Sequence, residues 1–121
     1  MSEPWTIEFF EDAGHSPVRE FLNQLDRKTR ARFDWSMQQL CERNVLARHP
    51  LATHVEGKIW ELRQESQTNI FRILYVAAVG KRFVLLHGFQ KKTQATPRRE
   101  IEAARRRLAR FEELERSGRN T

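Results

Sequence analysis

Between residues 58 and 90 the chain carries three runs of strand composition, KIWELRQE (58–65), IFRILYVAAV (70–79) and RFVLLHGFQ (82–90), joined by links of four and two residues. Parallel neighbours need a crossover of a dozen or more residues, so links this short dictate an antiparallel meander. If the first hairpin turns about Gln67-Thr68, opposed positions sum to 135. Arg63 then lies directly across from Arg72, and Glu61 across from Leu74. Period-two alternation places Trp60 and Leu62 on the other face with Phe71, Ile73 and Tyr75. The meander is expected to have one apolar side and one side carrying two arginines.

The remaining segments fit around it. WTIEFF (5–10) has strand composition with Trp5, Ile7 and Phe9 in one row. A helix is expected after Ser16 as N-cap and Pro17 as first helical residue, with Val18, Phe21, Leu22 and Leu25 as its apolar stripe. A second helix over 27–44 carries the apolar residues Ala31, Phe33, Trp35, Met37, Leu40 and Cys41, making a helical hairpin with the first. Residues 45–54, with Pro50, read as a loop. Thr96 and Pro97 cap a last helix with the stripe Ile101, Ala104, Leu108 and Phe111. The expected fold is α+β in the order β-α-α-β-β-β-α: a mainly antiparallel sheet, the helical hairpin packed on it, helices on one side, and a C-terminal helix. One domain over 1–121 is expected, with a core at about 5–114 and a flexible tail at 115–121.

Composition limits the function classes. The single cysteine, Cys41, excludes a disulfide framework and a cysteine-rich zinc site. The histidines at 15, 49, 54 and 87 lack metal-ligand spacing. No signal-peptide pattern or membrane-length apolar run occurs, so a reduced cytoplasmic setting is expected. The net charge of +6 is unevenly distributed: residues 1–80 sum to −1 and residues 81–121 to +7. Such asymmetry points to a polyanionic partner.

Two places sharpen that expectation. Like charges opposed on adjacent strands cost some tenths of a kcal/mol, so Arg63 and Arg72 call for a counter-anion, either Glu61 on the same face or a ligand oxyanion. Arg98 and Arg99 occupy a first helical turn, where the macrodipole prefers acids. The third strand ends in His87-Gly88-Phe89-Gln90-Lys91-Lys92. Gly88 marks either a bulge or a close backbone approach, and a bulge would decide whether His87 shares the arginine face.

The runs GKIWELR, FRILYV and LLHGFQKKTQATPRREIEAA, in this order of elements, resemble HigB-like toxins of the RelE/ParE superfamily over about residues 5–114. The resemblance implies a RelE-like fold and the toxin of a type II toxin–antitoxin system. It further implies ribosome-dependent cleavage of mRNA in the A site without metal or cofactor, and a cognate helix-turn-helix antitoxin. In that chemistry the ribose 2′-OH attacks the adjacent phosphorus, leaving a 2′,3′-cyclic phosphate and a 5′-OH. Arg63 and Arg72 would hold the scissile phosphate. Lys91 or Lys92 would bind backbone or transfer a proton, together with Lys58, and His87 is the other proton-transfer candidate. Lys58, Arg98 and Arg99 are the expected RNA contacts, with mRNA and rRNA as partners. The late tyrosine on which RelE relies has no counterpart, because Tyr75 falls on the expected core face.

Two other readings remain. A gyrase-inhibiting ParE-like toxin would share the fold. A non-catalytic RNA-binding module would resemble the double-stranded RNA-binding domain, but Thr93-Gln94-Ala95-Thr96 separate the lysines from the helix start, and the opposed arginines would then have no role.

Overall fold

A computed structural model describes residues 4–44, 51–91 and 95–119. Its elements are β1 (Thr6–Phe9), α1 (Pro17–Asn23), α2 (Arg27–Arg43), β2 (Ala52–Glu56), β3 (Ile59–Ser66), β4 (Asn69–Ala78), β5 (Arg82–Lys91) and α3 (Arg98–Arg119). They form a five-stranded sheet in the order β1-β5-β4-β3-β2. The β1–β5 pair is parallel and the other pairs are antiparallel. The architecture is the expected α+β arrangement, consistent with a RelE-like fold. The meander register is as the arithmetic gives it, with Arg63 opposite Arg72, Glu61 opposite Leu74 and Trp60 opposite Tyr75.

One strand was not anticipated. β2 pairs with β3 through a register shift between His54 and Glu56, and the chain turns at Gly57 with a left-handed φ of 55°. Its burial follows no two-residue period, because it is a short, half-polar edge strand, so the alternation that reveals a strand is missing. Residues 45–50, including Pro50, lie outside the described residues.

Helices cover both faces of the sheet, not one. On one face Val18 and Leu22 of α1 and Phe33, Met37 and Leu40 of α2 pack against Leu62, Phe71, Ile73, Tyr75, Phe83 and Leu85. On the other, Ala104 and Phe111 of α3, with Leu108, pack against Ile59, Leu74, Val76, Val84, Leu86 and Phe89. The side expected to display two arginines is therefore roofed by α3. It carries a core of its own because Leu74 and Val76 continue the Arg72 row.

The helix starts differ in their chemistry. Ser16 occupies the N-cap of α1 but its hydroxyl makes no capping bond. Asp26 caps α2, accepting from the Thr29 N–H at 2.8 Å and the Thr29 hydroxyl at 3.0 Å, which holds its carboxyl below the usual carboxylate range. The buried stripe of α2 is Thr29, Phe33, Ser36, Met37 and Leu40. Ala31 and Trp35, apolar residues of the same helix, face solvent. α3 runs on to Arg119, through most of the segment expected to be a tail.

Candidate functional site

The arginine face is built from the middle of β3 and β4 and closed by the segment leading into α3. Arg72 is only 2 % exposed. Its Nη1 donates to the Thr96 hydroxyl at 2.8 Å, and the Thr96 hydroxyl donates to Glu61 Oε2 at 2.8 Å. Arg72 Nη1 lies 3.8 Å from Glu61 Oε1, so guanidinium, hydroxyl and carboxylate form one buried cluster. Glu61 is thus the counter-anion of Arg72, not of Arg63. Thr96, expected as a helix cap, spends its hydroxyl here. At the start of α3 the Pro97 carbonyl accepts from the Glu100 and Ile101 N–H groups.

Arg63 keeps access to solvent. Its side chain is 30 % exposed, and Nη2 donates to Glu65 Oε1 at 2.6 Å. Its Nε is buried without a hydrogen-bond partner, a donor whose satisfaction would be worth a good part of its desolvation cost. Of the opposed pair, one guanidinium is committed to the interior and the other faces outward.

The bulge question has a definite answer. Leu74 pairs with His87 and Tyr75 with Leu85, so the extra residue is Leu86, not Gly88. The bulge turns Leu86 and His87 to the α3 side, with Phe89 directly opposite Arg72. Gly88 is instead a close approach: a Cβ there would come within 2.3 Å of the Phe21 ring of α1. His87 stacks on Phe89 at 5.6 Å. Arg107 Nη1 donates to His87 Nδ1 at 2.6 Å, and Nε2 lies 2.7 Å from Glu100 Oε1. The guanidinium can only donate, so Nδ1 accepts and the proton sits on Nε2, facing Glu100. Burial holds the His87 pKa below its ordinary 6.5, with Arg107 acting in the same direction and Glu100 against it. Both ring nitrogens are therefore occupied by α3, which leaves neither open to a substrate in this arrangement.

The remaining expected contacts are dispersed. Lys58 lies in the turn before β3, 72 % exposed, with Nζ 3.3 Å from Glu112. Lys91 ends β5 opposite Ile70, at the other end of the sheet, roughly 23 Å from Lys58 at about 3.3 Å per strand residue. Lys92 lies outside the described residues. Arg98 donates twice to Glu56 Oε1 at 2.8 Å, and Arg105 to Oε2 at 2.8 Å. The anion near the first turn of α3 is thus a carboxylate of β2. Arg99 is 77 % exposed, 3.8 Å from Glu100.

Glu100 and Arg107 escaped the sequence reading. They are seven residues apart, two helical turns, so they share the face that His87 meets; that spacing was the available signal. Among the described residues no group of three His, Cys, Asp or Glu side chains is placed to hold a metal ion, and no helix is long and apolar enough to cross a membrane.

Residues 20–109, reaching from α1 into α3, match the profile of the family described as "Phage derived protein Gp49-like (DUF891)". No curated protein matches the chain.

Proposed function

The chain belongs to the Gp49-like family of phage-derived proteins, a RelE/HigB-type toxin family of toxin–antitoxin systems, and from this we propose that it is an mRNA-cleaving toxin whose phosphate-binding group is Arg63. The observation that carries the reading is the division of labour in the opposed pair. Arg72 is buried, paired with Glu61 and bonded to the Thr96 hydroxyl, while Arg63 pairs only with the exposed Glu65 and keeps part of its guanidinium in solvent. Arg72 acts as a positioning residue, fixing the strand beneath Arg63.

In the proposed reaction the 2′-oxygen attacks the adjacent phosphorus and the P–O5′ bond breaks. The 2′-OH proton leaves to a base and the departing O5′ takes up a proton. Arg63 stabilises the charge that builds on the non-bridging oxygens, a role typically worth about 10²- to 10³-fold in rate. Lys91 and Lys92, which follow on the strand end, supply further charge or the leaving-group proton. His87 is assigned no proton transfer, since Glu100 and Arg107 hold both its nitrogens. Activity requires the ribosome, which supplies the aligned mRNA and the missing acid–base groups, and takes place in the cytoplasm. The cognate antitoxin, of helix-turn-helix type, neutralises it.

Expression of the wild-type chain without its antitoxin should arrest growth and produce cuts in translated mRNA, mapped by primer extension. Arg63→Ala should do neither while keeping its circular dichroism and melting temperature. Growth arrest with intact mRNA and broken DNA would overturn the reading in favour of a gyrase-directed toxin.

A further inference from the structure

Trp35 is the large side chain that the fold leaves unexplained. It is 58 % exposed in the middle of α2, and among the described residues its ring makes no aromatic or cation–π contact and its N–H no hydrogen bond. Four of the six residues opening the helix, Arg27, Lys28, Arg30 and Arg32, are basic, and no acid stands in the first turn. At 100° per residue Lys28 and Ala31 lie on the same outward stripe as Trp35, with Arg27 and Arg32 on its two flanks. Arg30 turns to the side and donates to Asn23. Arg32 reaches the Glu65 carbonyl with one N–H, at 2.5 Å, leaving the rest of its fork outward.

We propose that the outward face of α2 is a docking surface for single-stranded RNA, with Trp35 stacking on an unpaired base and Arg27, Lys28 and Arg32 holding the flanking phosphates. An exposed aromatic ring set among cations is the arrangement that binds single strands without sequence preference. A partner helix fits less well. It would need further apolar groups at the stripe positions around Trp35, and those are Lys28, Ala31, Gln38, Gln39 and Glu42. This surface lies on the sheet face opposite α3 and Arg63, so it grips RNA away from the proposed cleavage site and goes beyond that reading.

The test uses the full chain and a fluorescent 2′-O-methylated oligouridine, which cannot be cut by 2′-OH attack, with affinity read by anisotropy over a salt series. Trp35→Ala should weaken binding about tenfold, and Trp35→Phe should retain most of it. Arg27→Gln with Lys28→Gln should flatten the dependence of log affinity on log salt by about 0.7 per lost contact. Equal affinity of wild type and Trp35→Ala would overturn the proposal, as would loss of binding to an acidic helical peptide with oligonucleotide binding unchanged. Trp35-dependent binding without cuts in cellular mRNA would sink the cleavage reading alone. Cuts in mRNA with Trp35-independent binding would sink this one alone.

Discussion

At the residue scale, the two arginines that sequence arithmetic makes equivalent are opposites in the fold. Arg72→Ala would leave the Glu61 carboxylate buried without its cation, at a cost of about 3–5 kcal/mol, whereas replacing both by apolar residues of similar volume should recover much of it. Arg63→Ala, at an exposed pair with Glu65, should cost less than about 1 kcal/mol. Urea unfolding of the variants checks both. Loss of activity in Arg72→Ala is thus expected to track lost stability, while loss in Arg63→Ala is not. His87 makes a pH prediction. Its folded pKa is depressed, so the unfolded chain takes up the proton first, and stability should fall as pH drops below about 6.5 and be unaffected by this group above it. His87→Gln should remove that part of the slope between pH 7.5 and 5.5 in melting temperature.

At the element scale, the meander was legible because its links admit one topology and its alternation one register. What covers each face was not, because Arg72 and Glu61 look like a solvent or ligand row unless a distant segment supplies Thr96. The same limit explains Trp35, apolar by type yet outside the stripe set by Thr29, Phe33, Ser36, Met37 and Leu40. The sequence flagged Gly88 as either a bulge or a close approach. It is the close approach, and the bulge is two residues earlier, at Leu86, where an apolar residue carries no signature. Gly88→Ala should therefore cost about 1–3 kcal/mol through overpacking against Phe21. In a Phe21→Leu background the same change should cost less, and denaturant midpoints of the four proteins give the coupling.

At the scale of the whole molecule, part of the excess charge of the last third is met by acids elsewhere in the chain. Arg82 meets Glu8 and Glu115, Arg98 and Arg105 meet Glu56, and Arg110 meets Asp12. Arg98, Arg105 and Arg110 thus latch α3 to acids from the front of the sequence, and the +7 of the last third overstates the charge that this third offers a partner. Glu56→Gln should release two arginines. Stability should change by under about 1 kcal/mol, while binding to single-stranded RNA should become more salt-dependent by about 0.7 per released contact. Among the described residues, Arg63, Arg99 and the cations of α2 are among the groups that remain outward. The central claim is that Arg63 holds a phosphate undergoing 2′-OH attack. Its most direct test is the terminal chemistry of mRNA incubated with purified protein and programmed ribosomes. Fragments with 5′-OH and 2′,3′-cyclic phosphate ends from the wild type, and none above background from Arg63→Ala, are the predicted result. Wild-type cutting by Arg63→Ala, or fragments bearing 5′-phosphate, would contradict it.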